Sequence, residues 1–294
     1  MKNFFKKIII GTWSISGDLG KISRKQRYQL IEKCIQNGFL EFDIAPTYGE
    51  GKIDTFFSNL KNFKLKINTK FGYNKNFHKD FTISNLKKSL DSSLKLHEKI
   101  NIIFLHNPRN EIKNWDKIIY FLKDIKKQKL VKNIGISLAR DFYPPVSILN
   151  EFDYVQDEIN LLRNSILLSK INKFKIIARS PLATGILADN FSKKKKYEKK
   201  DYRYNWLYGE RLNNIYHQLE ALKVVLGKNL QEYAYLFLLT NLKINKIICG
   251  FKNYNQFEEL LKINYIEKLN KNKILQIYKL QKNNFNISNK IKIY

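Results

Sequence analysis

Short β-rich segments alternate with longer amphipathic segments along the chain, and this alternation restricts the possible fold more than any other feature of the sequence. The segments predicted to be strands are Ile8–Trp13, Phe39–Asp43, Leu65–Lys70, Ile100–His106, Asn133–Ser137, Tyr154–Asn160, Lys175–Ser180 and Lys246–Cys249. The segments predicted to be helices are Ser23–Asn37, Ile53–Leu60, Thr82–His97, Trp115–Gln128, Val146–Glu151, Ser165–Phe174, Glu210–Gly227, Gln231–Leu242 and Asn255–Leu261. Strands that alternate with helices in this way are typical of a parallel sheet.

Eight strands that alternate with helices predict an α/β fold in which a parallel sheet closes into a (β/α)8 TIM barrel. The alternative is an open, doubly wound sheet. No G-x-G-x-x-G motif follows the first predicted strand, where a dinucleotide-binding sheet of that kind would need it. We therefore expect one domain of the barrel type across residues 1–294.

Two segments lie outside the regular alternation. Residues 188–206 follow the seventh strand as a long stretch rich in Lys, Tyr and Asp. Long loops in compact domains often close over a site, so we expect a lid there. The tail is predicted to be helical from Lys268 to about Lys282 and then to fray.

The sequence favours a protein of the reducing cytoplasm. The start, MKNFFKKIII, has basic residues before an apolar run, but the run stops at Gly11 and is too short for a secretory signal. No apolar run approaches the roughly 18 residues that a membrane helix requires. The two cysteines, Cys34 and Cys249, do not suggest a disulfide framework.

The formal net charge of +28 raises nucleic acid or an anionic membrane as a partner. However, only 8 of the 54 basic residues are arginines, the side chain best suited to bidentate phosphate contacts. Lysine is spread along the whole chain together with abundant Asn and Ile, which indicates a compositional bias. We expect a solvated basic surface without a nucleic-acid or membrane partner, and a polyanion-binding protein remains an alternative.

Chemically useful side chains follow three successive predicted strands. Asp43 ends the second strand and Tyr48 follows it, while Lys70 ends the third strand. His106 ends the fourth strand. Because the carboxyl ends of barrel strands share one mouth, these four side chains are predicted to converge.

The four side chains suit the protonation of an oxygen atom while another group adds to the attached carbon. A phenol is a weak acid, but a neighbouring cation such as Lys70 is expected to lower the pKa of Tyr48. Asp43 can hold the cation, and His106 can orient a carbonyl oxygen. Each residue alone also has an ordinary structural explanation, such as a helix cap for Asp43 or packing for Tyr48.

The segment Asp43-Ile-Ala-Pro-Thr-Tyr48-Gly49, with Lys70 and His106, resembles the D-x-A-x-x-Y-G motif and the catalytic Lys and His of the aldo-keto reductases. The similarity covers nearly the whole chain. It implies a (β/α)8 barrel that transfers hydride between a nicotinamide cofactor, usually NADPH, and a carbonyl carbon. In this resemblance Tyr48 donates the proton, and the reverse reaction oxidises an alcohol.

Further motifs of that family imply the residues that bind the cofactor and substrate. The cofactor residues implied are Gly11, Thr12, Trp13, Asp43, Ser137, Gln156, Arg179, Ser180, Pro181, Leu182, Gly185, Leu187, Gly250, Lys252, Gln256 and Glu259. The substrate residues implied are Trp13, Tyr48, His106 and Asn107. Lys252 lies in the segment that resembles the adenosine 2'-phosphate site, which favours NADPH over NADH.

The chain departs from the family pattern at several cofactor positions. The usual Ser-Asn pair is Ser137-Leu138, and the aromatic residue that commonly stacks on the nicotinamide is Arg179. Cys249 and Leu260 replace a proline and an asparagine near the adenosine segment. We predict an enzyme that acts on a small carbonyl compound, such as a sugar, without a metal, as a monomer or small homo-oligomer. A non-catalytic nicotinamide-binding subunit of a larger assembly is the alternative.

Overall fold

The computed structural model describes residues 3–169, 173–263 and 269–287, and its parallel strands close into a barrel in chain order. The strands are β1 (Ile8–Gly11), β2 (Glu41–Asp43), β3 (Lys66–Phe71), β4 (Ile100–His106), β5 (Val131–Ser137), β6 (Tyr154–Glu158), β7 (Lys175–Arg179) and β8 (Ile244–Gly250). The whole of β1 pairs with the end of β8, from Ile8 opposite Ile247 to Gly11 opposite Gly250. The predicted single-domain (β/α)8 barrel is therefore confirmed, and the open sheet is excluded.

Helices lie between successive strands along the chain and continue after the last strand. They are α1 (Arg24–Gln36), α2 (Lys52–Ser58), α3 (Ile83–Leu96), α4 (Trp115–Lys127), α5 (Val146–Leu149), α6 (Gly209–Leu226), α7 (Leu230–Leu239), α8 (Tyr254–Lys262) and α9 (Lys271–Lys282). Local sequence sets their starts: at α1 the Ser23 hydroxyl accepts a hydrogen bond from the Gln26 backbone N–H. The Gln26 side chain accepts one from the Ser23 N–H in return, which makes a capping box.

The predicted helix at Ser165–Phe174 is wrong in type where the structure describes it. The chain forms a short 3-10 helix over Ile166–Ser169, and residues 170–172 lie outside the described part. The Ser165 hydroxyl explains the difference, because it donates to Asp157 at 2.5 Å and accepts from the Leu167 N–H at 3.2 Å. These bonds hold the start of the segment against β6. In the predicted tail helix, Lys268 also lies outside the described residues, and α9 begins at Lys271.

The barrel interior is filled by a buried cluster that supports the mouth from below: Ile9, Ile102, Phe104, Ile177 and Ile248. Gly135 makes room for the largest of these side chains. A Cβ atom at Gly135 would lie 2.5 Å from ring carbons of Phe104, closer than real contacts allow. The Gly at the centre of β5 is therefore a packing requirement of the Phe104 ring.

The segment 188–206, predicted to be a lid, is irregular except for a 3-10 helix at Tyr202–Asn205. It reaches the loop after β1, where the Tyr202 N–H donates to the Asp18 carbonyl at 2.8 Å. The rings of Trp13 and Tyr202 also pack edge to face, with centroids 5.3 Å apart. Among the helices that the structure describes, none is long and apolar enough to cross a membrane.

Truncation of the interior cluster tests this packing. Phe104→Ala is expected to lower the free energy of unfolding by about 3–5 kcal/mol, because a fully buried ring is lost and a cavity remains. The matched control is Tyr120→Ala, since the Tyr120 ring is 77% exposed and its loss is expected to cost about 0.5 kcal/mol or less. Urea unfolding followed by circular dichroism measures both values. Equal losses for the two variants would contradict this account of the core.

Candidate active site

The structure brings together the four side chains that the sequence places at the strand ends. Asp43 is the last residue of β2, Lys70 lies near the end of β3 and His106 is the last residue of β4. Their exposed fractions are 3%, 1% and 7%, respectively. Tyr48 lies in the loop after β2, half-buried against the core. All four side chains therefore meet at the carboxyl end of the barrel, where the enzymes of this fold carry out their chemistry.

A buried ion pair lies at the centre of this group. Lys70 Nζ donates to Asp43 Oδ1 at 2.5 Å and to the carbonyl oxygen of Ile44 at 2.9 Å. The same ammonium nitrogen lies 4.8 Å from the centroid of the Tyr48 ring. The two charges have left water, so their desolvation must be offset by these directed contacts.

Burial determines the protonation of Tyr48 and opposes the effect expected from the sequence. Burial raises the pKa of Tyr48, and Lys70 lowers it only in part, so the pKa lies above the usual value. The expectation of a lowered pKa is wrong in its net direction because it left out desolvation. Burial lowers the pKa of Lys70, but Asp43 and Tyr48 together raise it above its usual value. At neutral pH the site therefore holds a protonated phenol beside a charged ammonium group.

His106 is a neutral imidazole at this mouth. Burial and the positive charges of Lys70 and Arg179 hold the pKa of His106 well below its usual value of 6.5. The His106 ring lies edge to face with Tyr48, at a centroid distance of 6.2 Å, and 5.2 Å from the ring of Tyr73. Tyr73 is not among the site residues predicted from the sequence. Its position directly after the third predicted strand, in Phe71-Gly72-Tyr73, was the signal that could have found it.

A cavity of about 490 Å³ opens beside Tyr48 and extends under the segment 188–206. Many of the residues implied by the family motifs line it: Gly11, Thr12, Trp13, Asp43, Tyr48, Gln156, Arg179, Ser180, Pro181, Leu182, Gly185, Gly250, Lys252, Gln256 and Glu259. Others lie outside this lining: Lys70, His106, Asn107, Ser137 and Leu187. Leu187 packs in the hydrophobic core, and the Asn107 N–H donates to the Ser137 carbonyl at 2.8 Å.

Polar side chains beneath the cavity form a continuous hydrogen-bonded chain. Ser137 Oγ donates to Gln156 Oε1 at 2.8 Å, and Gln156 Nε2 donates to Asp43 Oδ2 at 2.9 Å. The backbone of Asp43 is fixed as well, since the Thr12 hydroxyl donates to its carbonyl oxygen at 2.8 Å. The Asp43 carboxylate therefore has a donor on each of its two oxygens.

Cations border another part of the cavity. Lys21, Lys195, Lys196 and Lys252 belong to its lining. Lys252 Nζ donates to the Leu19 carbonyl at 2.8 Å, while burial lowers the pKa of Lys252 and Arg203 lowers it further. Lys252 is the one of these four that the sequence predicts, because the loops that supply the others are far apart in the chain. A cavity with a phenol in one part and several ammonium groups in another fits a ligand that carries phosphates.

Four of the eight arginines of the chain lie near the mouth. Arg109, Arg140 and Arg163 are in the loops after β4, β5 and β6, and Arg179 is the last residue of β7. Their guanidinium groups bind the protein itself. Arg140 makes two hydrogen bonds to Glu158, and Arg179 Nη2 donates to the Leu138 carbonyl at 3.1 Å. These contacts order the rim of the mouth, which favours a structural role over a polyanion-binding face.

The sequence model of the aldo/keto reductase family matches residues 7–282 of the chain. The chain belongs to the aldo/keto reductase family. This membership supports an oxidoreductase that uses a nicotinamide cofactor and acts on small carbonyl compounds. No curated protein matches this member of the family.

Two solved structures share the barrel. The glycerol dehydrogenase from Gluconobacter oxydans is 18% identical, with a TM-score of 0.75 over 93% of this chain and 90% of that chain. An aldo-keto reductase from Bacillus halodurans in its holo form is 17% identical, with a TM-score of 0.73 over 93% of this chain and 91% of that chain. At these identities the likeness establishes the fold.

Within residues 3–169, 173–263 and 269–287, we find no group of three or more His, Cys, Asp or Glu side chains that could hold a metal ion. Cys34 and Cys249 are both buried free thiols. Burial raises the pKa of Cys34 to about 12 and raises that of Cys249 as well. Neither thiol is therefore activated as a nucleophile.

The buried neutral imidazole predicts a loss of stability in acid. Because the pKa of His106 lies well below 6.5 in the folded protein, protons favour the unfolded state once the pH falls below that value. The stability that His106 contributes is complete above pH 6.5 and falls by up to about 1.4 kcal/mol per pH unit below it.

Urea unfolding at pH 7.5 and pH 5.0 measures this effect. His106→Gln is expected to lose less stability between the two pH values than the parent protein, by up to about 2 kcal/mol. The matched control is His217→Gln, because His217 is exposed on α6. An unchanged pH dependence in His106→Gln would show that this imidazole is not held neutral by burial.

Proposed function

We propose that the protein is an NADPH-dependent oxidoreductase that reduces an aldehyde or ketone to an alcohol, or catalyses the reverse reaction. The observation that carries this proposal is the buried Lys70 ammonium group, which contacts Asp43 at 2.5 Å and lies under the ring of Tyr48. A charged lysine is seldom fully buried without a partner and a function. Here it stands next to Tyr48, a phenol in the cavity lining that can give a proton to a carbonyl oxygen.

The residues around the cavity fit a nicotinamide dinucleotide phosphate. Ser137 and Gln156 would hold the carboxamide, and Arg179 would lie against the nicotinamide ring. The loop from Ser180 to Leu187 would hold the pyrophosphate, and Lys252, Gln256 and Glu259 would hold the adenosine 2'-phosphate and adenine. When bound, the cofactor supplies the hydride. The ammonium groups in the lining supply the positive charge that its phosphates require.

The protein's own residues transfer one proton to the substrate. Tyr48 donates its phenolic proton to the carbonyl oxygen of the substrate, and Lys70 stabilises the phenolate that forms. Asp43 keeps Lys70 charged and in place. His106, as a neutral imidazole, donates an N–H to the same carbonyl oxygen and orients it. In the direction of alcohol oxidation the Tyr48 phenolate accepts the proton.

The wall of the substrate region favours a small polar carbonyl compound, such as a sugar-derived aldehyde or ketone. Trp13 lines the cavity with Tyr202 packed against its ring, and Asn107 directly follows His106 at the carboxyl end of β4. A glycerol dehydrogenase among the similar structures points to the same class of polyhydroxy compounds. We further propose that residues 1–294 act as one domain with segment 188–206 as its lid. We place the enzyme in the cytoplasm, and we propose that it is a monomer or small homo-oligomer.

Removal of the Tyr48 hydroxyl tests the proton donor. Tyr48→Phe keeps the ring and is expected to lower turnover about 10²- to 10⁴-fold, the usual contribution of proton transfer. The affinity for NADPH is expected to change little, because the cavity keeps its shape. The assay follows NADPH oxidation at 340 nm with sugars, hydroxyaldehydes and small ketones, and fluorescence titration measures cofactor binding. Tyr120→Phe on the surface of α4 is the matched control, and turnover of Tyr48→Phe near that of the control would remove the phenol from the mechanism.

Substitution of Lys252 tests the cofactor preference. Lys252→Ala is expected to weaken NADPH binding about 10- to 100-fold, since a charged contact with the 2'-phosphate is lost, and to leave NADH binding nearly unchanged. Lys228→Ala removes the same charge from an exposed position and serves as the control. Equal weakening for both cofactors would show that Lys252 does not distinguish them.

A further inference from the structure

The side chain of Gln156 reaches across the mouth of the barrel to the catalytic carboxylate. Its strand, β6, lies opposite β2 in the closed ring, yet Gln156 Nε2 lies 2.9 Å from Asp43 Oδ2. Gln156 is 1% exposed, so this bond is shielded from water. A hydrogen bond to a charged group in such surroundings is stronger than one at the surface.

The orientation of the Gln156 amide follows from its partners. The Asp43 carboxylate can only accept hydrogen bonds, so the amide NH₂ must face it. The amide oxygen then faces Ser137, whose hydroxyl donates to it at 2.8 Å. Both ends of the amide are thereby used inside the protein, with Ser137 at one end and Asp43 at the other.

The departure from the family motif at position 138 agrees with this arrangement. Where the motif has an asparagine next to Ser137, this chain has Leu138, which is fully buried. Its side chain offers no amide to the carboxamide of a nicotinamide cofactor or to Gln156. Its backbone carbonyl accepts a hydrogen bond from Arg179 instead. Gln156 is therefore the amide that this part of the cavity lining has available, and the structure directs it to Asp43.

We infer that Gln156 is a positioning residue for proton transfer: it holds the Asp43 carboxylate in the orientation that faces Lys70. This inference rests on the proposed function and goes beyond the carboxamide contact that the family motif implies for Gln156. Gln156 acts through Asp43 on Lys70 and so on the proton of Tyr48. Ser137 supports it by fixing the amide from behind.

The consequence for the pH dependence follows from the groups that face Lys70. These are Asp43 on β2, Tyr48 in the loop after β2 and His106 on β4, while Arg179 on β7 acts on Tyr48 and His106. Asp43 is the carboxylate among them and raises the pKa of Lys70 against the effect of burial. When Asp43 turns away, the pKa of Lys70 falls. Carbonyl reduction, which needs Lys70 charged, is then lost at a lower pH.

The test is the pH profile of Gln156→Met, a side chain of similar length without an amide. We expect kcat to fall about tenfold or more and the basic limb of the kcat profile to move to lower pH by about one unit. The dissociation constant for NADPH is expected to rise by a smaller factor than kcat falls, because Gln156 makes only one of the proposed contacts with the cofactor. If Gln156 only bound the carboxamide, the variant would bind NADPH more weakly and the basic limb of its kcat profile would not move. That result would overturn the inference.

Ser137→Ala is the companion variant, because it removes the support behind Gln156 and leaves the bond to Asp43 possible. We expect the same direction of change in kcat and in the basic limb, with a smaller size. It also keeps the inference open to test if Gln156→Met does not fold. If the basic limb moves neither in Ser137→Ala nor in a folded Gln156→Met, Lys70 does not depend on the hydrogen bonds from Ser137 through Gln156 to Asp43.

A crystal structure of the parent protein with NADPH bound gives a test that needs no turnover. We expect Gln156 Nε2 to remain about 2.7–3.2 Å from Asp43 Oδ2. An amide turned away from Asp43, with its NH₂ on the carboxamide, would overturn the inference. If this bond is present but no carbonyl compound is reduced, the proposed function fails while the contact stands, so the two failures can be told apart.

Discussion

The buried contact between Asp43 and Lys70 is the interaction on which the rest of the mouth depends. Two charges out of water are unfavourable unless close geometry and further hydrogen bonds offset their desolvation. The structure supplies these partners from separate parts of the chain: the Ile44 carbonyl binds Lys70, and Gln156 binds the second oxygen of Asp43. The pair can therefore form only when β2, β3 and β6 are held in one closed barrel.

The same burial gives the neighbouring groups different tasks. Tyr48 keeps its proton because a phenolate would be poorly solvated there, and Lys70 reduces that penalty only in part. His106 loses its proton because an imidazolium would be both buried and close to cations. Desolvation thus leaves one proton donor and one neutral hydrogen-bonding group. It raises the pKa of the group that would become an anion and lowers the pKa of the group that would become a cation.

The sequence predicts the elements and the strand-end residues well, because periodicity and strand order fix which side chains reach the mouth. The eight strands and their parallel closure are confirmed. The sequence does not predict the depth of burial, so the pKa of Tyr48 was expected to move the wrong way. Contacts across the barrel, such as that of Gln156 with Asp43, depend on the closed geometry, as does the packing of Tyr73 on His106. The helix expected after Ser165 fails for a similar reason, since its hydroxyl binds Asp157 on β6.

A double-mutant cycle on the ion pair tests the central claim most directly. The measurement is kcat for carbonyl reduction by NADPH in Asp43→Asn, in Lys70→Met and in the double variant. Because the two residues act as one unit, the double variant is expected to be no worse than the poorer single variant, within about threefold. Losses that multiply across the two substitutions would contradict the account, since they would show that Asp43 and Lys70 contribute independently.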